Sequence, residues 1–182
     1  MKLFLDHIPS PMGEMMLVTD QDGKIRMFEW VDHQERMDRL LARQYKSHYH
    51  RFKLDMVKGS APIHIRQALD AYFNGQITAI EDLETATGGT EFQKTIWRAL
   101  RTIPAGTTLT YGDLATQIGK PKAVRAVGLA NGANPIAIIV PCHRVIGANG
   151  TLTGYGGGLA RKQWLLMHEQ ALRAPNKLNM DV

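Results

Sequence analysis

Cys142 is the only thiol in this chain. No disulfide can staple such a fold and no multi-thiolate zinc site can be built, so a packed apolar core has to hold it. Hydrophobic residues make up 44% of the 182 positions, enough for that core in one medium domain or two small ones. No apolar run reaches the roughly eighteen residues of a membrane span. The opening Met1–His7 carries Asp6 where a signal peptide needs a long apolar stretch, and a lone thiol fits a reducing compartment. The expectation is an unprocessed, cytoplasmic protein.

Charge divides unevenly. Residues 1–89 hold 11 Lys and Arg against 13 Asp and Glu, a net of −2. Residues 90–182 hold 11 against four acids (Glu91, Asp113, Glu169, Asp181), a net of +7. A basic half that contains the cysteine points to a polyanionic partner, nucleic acid first. The plainer alternative is solubility charge that happens to cluster.

The first half reads as mixed α/β. Met15–Thr19 and Lys24–Trp30 flank the turn Asp20–Gly23 as a hairpin. His33–Tyr45 and Ala61–Phe73 have helical spacing, the second closed by Asn74-Gly75. Residues 76–90 lack a regular pattern and read as a linker. The second half opens with a helix from Glu91 to about Thr102, stopped by Ile103-Pro104-Ala105-Gly106. Thr110–Gly119 and Ala123–Asn131 are two short helices joined by a Gly-containing turn, the helix-turn-helix pattern. Ile136–Val140 is expected as a buried strand or extended segment. Residues 147–158 are glycine-rich, and Leu159 to about Leu172 is a final helix.

Read alone, Cys142 is as easily an inert buried thiol as a nucleophile. Its neighbours, His143 and Arg144, favour a thiolate. In a regular strand adjacent side chains point to opposite faces, so contact between Cys142 and His143 needs a turn at 142–143 or a bridging water. A third group should orient the imidazole, and Glu169, the only acid in the final helix, is the candidate. Read alone, Asn134-Pro135 is a turn signal, Tyr111 a surface tyrosine near a cap, Arg125 a solvated helix charge, and Gly154–Gly158 a flexible loop. The surroundings of Arg125 are unusual: Ala123, Ala126 and Gly128 leave a helix that can approach another surface closely.

Five segments in one order carry a sharper likeness: Tyr111-Gly112, Ala123-Val124-Arg125-Ala126-Val127-Gly128, Asn134-Pro135, Pro141-Cys142-His143-Arg144-Val145 and Gly154-Tyr155-Gly156-Gly157-Gly158. Together they resemble the O6-alkylguanine-DNA alkyltransferases in their bacterial, single-polypeptide Ogt-type form, over roughly residues 90–172. The resemblance implies an α+β fold: an N-terminal α/β domain with a ribonuclease H-like sheet (1–89 with the linker), a mostly helical domain with the helix-turn-helix (90–172), and a C-terminal tail (173–182). It implies a Cys142–water–His143–Glu169 relay and irreversible, single-turnover transfer of an alkyl group from O6 of guanine in duplex DNA to Cys142, after the base is flipped out. Tyr111 would rotate the base outward and donate to the departing purine. Arg125 would fill the space the base leaves, while Ala123, Ala126 and Gly128 let the helix enter the minor groove. Asn134 would be a hinge tying that helix to the cysteine loop. Val145, Tyr155, Gly156 and Gly157 would line the guanine pocket. The implied protein is a monomer with no cofactor and no membrane partner. Some relatives hold zinc in the first half partly through cysteines; residues 1–89 contain none, so no metal is expected, and His48 and His50 read as a solvated polar loop. O4-alkylthymine as a second substrate stays open.

Two rivals remain. A regulator that binds lesions without transfer would share the basic half but tolerate loss of Cys142. Its recognition helix would need long polar side chains, and this one has few. A cysteine hydrolase would pair Cys with a distant His and has no use for a helix-turn-helix.

Overall fold

The computed structural model describes residues 2–45 and 55–172. His48, His50 and the tail from 173 lie outside the described residues. Strands β1 (Lys2–Ile8), β2 (Met15–Asp20), β3 (Ile25–Trp30) and β4 (Asp55–Lys58) form one sheet in the order β3-β2-β1-β4. The β1–β2 and β2–β3 pairs are antiparallel and β1–β4 is parallel. The expected hairpin is β2–β3. Its turn is closed by Asp20, whose Oδ1 accepts from the amides of Asp22 and Lys24, while Gly23 supplies a left-handed φ of 77°. Strand β1 was not expected: its alternation is blurred by Phe4 and Leu5, and partners on both sides, not its own pattern, make it a strand.

Every residue of β2 is buried because both faces of the sheet are covered. On one face Leu3, Met16, Val18 and Met27 pack against Met37, Leu40 and Leu41 of helix α1 (Gln34–Gln44). On the other, Met15, Leu17, Phe28 and Trp30 join a larger core. That core continues through α2 (Ile63–Phe73) and α3 (Glu91–Leu100) to Leu165 of α6 (Leu159–His168). One apolar cluster thus runs from the sheet into the basic half. Between α3 and α6 come α4 (Tyr111–Gln117) and α5 (Val124–Gly132), with a short parallel pair of β5 (Leu109–Thr110) and β6 (Val145–Ile146). Both α3 and α4 begin with capping boxes, Thr90 with Gln93 and Thr110 with Asp113.

Three expectations change. The stretch 76–90 is held down: Ile80 and Leu83 are buried, and Glu84 and Ala86 exchange backbone hydrogen bonds with Ile25 at the edge of β3. Residues 136–140 are buried but form no strand. Ile136 makes one isolated bridge to Phe28, and the chain then turns, with Ile138 at φ 69°. A β-branched residue adopts that conformation only where its surroundings dictate it. The last helix stops at His168, so Glu169 is its C-cap instead of an interior residue. Gln170 follows at φ 61°.

Candidate active site

Pro141 ends the buried turn, and Cys142–Arg144 form a single 3-10 turn. The chain therefore does turn where contact between the cysteine and histidine requires it. Asn134 holds the segment. Its Oδ1 accepts from the Ile136 amide at 3.0 Å, and its Nδ2 faces the carbonyls of Val140 at 2.8 Å and Ile136 at 3.2 Å. The same Nδ2 lies 3.1 Å from the Cys142 sulfur. One side chain thus sets both the loop backbone and the thiol. Asn131, on the buried face of α5, reaches the Cys142 carbonyl at 3.4 Å.

His143 is fully buried, and its Nε2 lies 3.0 Å from Oε1 of Glu169. Glu169 also accepts a two-pronged contact from Arg144, Nε to Oε2 at 2.7 Å and a terminal nitrogen to Oε1 at 2.9 Å. The Tyr72 hydroxyl donates to Oε1 at 2.8 Å. Burial alone would raise the Glu169 carboxyl, but the His143 hydrogen bond and the Arg144 guanidinium outweigh it and hold it well below the usual carboxylate range. An ionised carboxylate only accepts, so Nε2 of His143 carries the proton and Nδ1 the lone pair. Nδ1 has no partner among the described residues. Burial pulls the imidazole down, with Glu169 opposing. Because Arg144 already balances the carboxylate, the ring stays neutral, which is the form that can take a proton.

The two basic neighbours do not lower the thiol here. Arg144 is committed to Glu169, His143 is neutral, and burial pushes Cys142 up, with the Asn134 amide opposing in part. The resting sulfur is a thiol beside a base.

Tyr111 opens α4 with its hydroxyl 3.4 Å from the Thr153 carbonyl and its ring against Gly128. Burial and the nearby sulfur push its phenol up. Val145 is buried, and its carbonyl accepts from Lys162. Tyr155 stands edge-on between Trp30, with ring centres 6.0 Å apart, and His143, at 6.5 Å. Its buried hydroxyl has no partner among the described residues. A Cβ on Gly156 would fall 2.7 Å from the Arg36 guanidinium, and one on Gly157 would fall 2.5 Å from the Trp30 ring. Those two glycines are needed for close approach. Arg125 and Ala126 lie exposed on the outer side of α5, with Ala123 and Gly128 half-buried. Arg125 and Ala126 stand apart from the Cys142–His143–Glu169 cluster, which α5 meets through the buried Asn131, more than about 100° around the helix from both.

Two residues escaped the sequence. Arg36, from α1, pairs with the buried Glu29 and donates to the carbonyls of Gly132 at 2.8 Å and Asn134 at 3.2 Å. Lys162 in α6 is fully buried and donates to the carbonyls of Val145 at 2.6 Å and Thr153 at 2.7 Å. Burial pulls it down to about 8, against the nearby Cys142. The available signal is spacing: Lys162 precedes Leu165 and Leu166 by three and four positions, and Arg36 precedes Leu40 by four, although the charge of each suggests a solvated residue.

A family model described as "6-O-methylguanine DNA methyltransferase, DNA binding domain" matches residues 91–171. The "Methylated-DNA--protein-cysteine methyltransferase" of Salmonella typhimurium is 49% identical over 169 residues, 93% of this chain and 96% of the relative. The protein of the same name from Methanosarcina acetivorans is 62% identical over 101 residues, 56% of this chain and 64% of the relative. Among solved structures, Mycobacterium tuberculosis OGT in complex with DNA superposes with a TM-score of 0.75 at 43% identity, covering 98% of both chains. With a buried cysteine beside a histidine–carboxylate pair, and likeness of this extent along nearly the whole length, the chain belongs to the methylated-DNA–protein-cysteine methyltransferase family.

Proposed function

We propose that this protein repairs alkylated DNA by direct reversal, taking the alkyl group from O6 of guanine onto its own Cys142. The sulfur attacks the alkyl carbon, the new S–C bond forms as the C–O6 bond breaks, and guanine leaves. The thiol proton passes across one bridging water to Nδ1 of His143, which Glu169 orients through Nε2. The Tyr111 hydroxyl protonates the departing purine and recovers a proton from solvent. Asn134 holds the sulfur in line, and Val145, Tyr155, Gly156 and Gly157 enclose the base. A thioether has no ready hydrolysis route, so each chain acts once.

The observation that carries this reading is the placement of His143. It is fully buried, its Nε2 lies 3.0 Å from the Glu169 carboxylate, and its Nδ1 has no partner among the described residues, one position along from the only thiol in the sequence. On the same reading, α4 and α5 are a helix-turn-helix whose second helix enters the minor groove. Exposed Arg125 fills the place of the flipped base, and Ala123, Ala126 and Gly128 allow the approach. The sheet is the ribonuclease H-like part of a 1–89 domain, 90–172 is the alkyltransferase domain, and the protein works as a monomer in the cytoplasm.

Intact-protein mass spectrometry after mixing with an oligonucleotide bearing O6-methylguanine tests it. The expected result is a gain of about one methylene on Cys142, capped at one per chain. Binding without any mass gain would make this a lesion-binding protein and overturn the transfer.

A further inference from the structure

The first half of the chain is net acidic, yet it turns a basic stripe toward the mouth of the site. Arg36, Arg39 and Arg43 recur along α1 at spacings that place them on one side of the helix, with Leu40 between them. They form one wall of an open groove of about 480 Å³, whose other wall includes Leu129 of α5 and Tyr155 and Gly156 of the glycine loop. The groove thus shares Tyr155 and Gly156 with the residues placed around the base in the proposed function.

The three arginines are not equivalent. Arg36 is engaged by Glu29 and two backbone carbonyls. Arg39 is 64% exposed and makes a long 3.7 Å contact with Glu35, itself 95% exposed. A surface pair of that kind is worth little and yields readily to a stronger anion. Arg43 is exposed and has no ion-pair partner among the described residues. Asp38 falls on the far side of α1, about 200° around the helix from Arg36. No acid lines the groove. Arg39 and Arg43 stand about 6 Å apart along the helix axis, close enough for two long guanidinium side chains to reach neighbouring phosphates of one strand.

We propose that Arg39 and Arg43 hold backbone phosphates of the DNA, so that α1 forms a second wall of the DNA channel opposite α5. This rests on the reading above that duplex DNA meets the α5 face. Phosphate contacts fix the register of the duplex and carry no sequence preference. The stripe would therefore raise affinity for any duplex presented to the site, and it would explain how an acidic half assists a polyanionic substrate.

The test uses the full chain carrying Arg39→Gln and Arg43→Gln, titrated with a duplex bearing O6-methylguanine over a range of salt. Each lost phosphate contact lowers the slope of log K against log salt by about 0.9, so a drop of about 1.8 is expected, with weaker binding at low salt. Arg39→Lys with Arg43→Lys keeps the charge and should restore most of the slope. Glu35→Gln, which frees Arg39, should strengthen binding. An unchanged slope overturns the proposal and leaves the groove to another occupant, such as an acidic protein segment. Methyl transfer from free O6-methylguanine base, which has no phosphate, separates this from a damaged site: loss greater on duplex than on base supports the proposal, and equal loss on both overturns it. Failure of the wild-type chain to take a methyl group from either substrate would instead overturn the proposed function.

Discussion

The Arg36 guanidinium donates to the Asn134 carbonyl at 3.2 Å across 98 positions of sequence, while its other nitrogen pairs with Glu29. The residue that sets the cysteine loop is thereby tied to helix α1 on the far face of the sheet.

Replacing Arg36 by Leu should cost about 3 kcal/mol, because it strands a buried carboxylate and frees two carbonyls. The loss has a pH signature. Burial already raises Glu29, with Arg36 opposing, and without Arg36 it rises further. A carboxyl raised in the folded state favours folding while protonated, so the variant's deficit should be largest at neutral pH and shrink toward pH 4. Urea denaturation at several pH values checks this; a deficit independent of pH would show that Glu29 is not the cause.

Glu169 has the opposite sign. Its folded carboxyl is held below the unfolded value, so its contribution is complete above about pH 5 and is lost as the medium becomes strongly acidic. Glu169→Gln should flatten that acid limb. At neutral pH it should cost about 3 kcal/mol, since Arg144 loses its buried partner. It should also slow single-turnover transfer at least about tenfold by removing the acceptor that fixes the His143 tautomer. An unchanged transfer rate would remove Glu169 from the site.

The two loop glycines should respond differently. In Gly157→Ala the new methyl meets the Trp30 ring, which is buried and cannot yield. A loss of about 1–3 kcal/mol is expected, with transfer impaired. In Gly156→Ala the methyl meets the end of the Arg36 side chain, which is longer and more adjustable than a buried ring but can shift only by loosening its contacts to Glu29 and the carbonyls of Gly132 and Asn134. Thermal melts of the two variants should rank Gly157→Ala as the more damaging.

Lys162→Met removes a buried ammonium and leaves the carbonyls of Val145 and Thr153 without their donor. A loss of about 1–3 kcal/mol at neutral pH is expected. In the wild type the folded lysine titrates near 8 and the unfolded one near 10.4, so the unfolded chain binds more protons between those values. The Lys162 contribution therefore makes stability rise over that window, and the Met variant should lack that rise. Denaturation midpoints of both proteins between pH 7 and 10 decide it.

The candidate site was legible in the sequence where its residues are contiguous. Cys142-His143-Arg144 and Asn134-Pro135 are contiguous motifs, and Glu169 was singled out as the one acid of its helix; the structure joins it to His143. The β2–β3 hairpin and α1 followed from periodicity because each carries its own pattern. What stayed hidden depends on partners far away. Strand β1 is made by its neighbours on both sides, and the 76–90 segment is made regular by the edge of β3. Lys162 stands three and four positions before Leu165 and Leu166, and Arg36 four before Leu40, so helix periodicity sets both on or beside an apolar stripe; their charge argues for solvent, and distant carbonyls are what satisfy them inside. The 136–140 stretch misled for a different reason. Five apolar residues in a row fit a buried strand and a buried turn equally well, and the Asn134 side chain decides for the turn.

The placement of Cys142, 7% exposed on a turn pinned by Asn134, has a use outside repair chemistry. It is the only thiol in the sequence. A thiol-reactive dye can therefore couple at one position alone, and its rate relative to that of the unfolded chain reports how far this one segment shields the sulfur. The protein carries its own gauge of access to this turn, readable in a cuvette without a lesion, a duplex or an engineered label site.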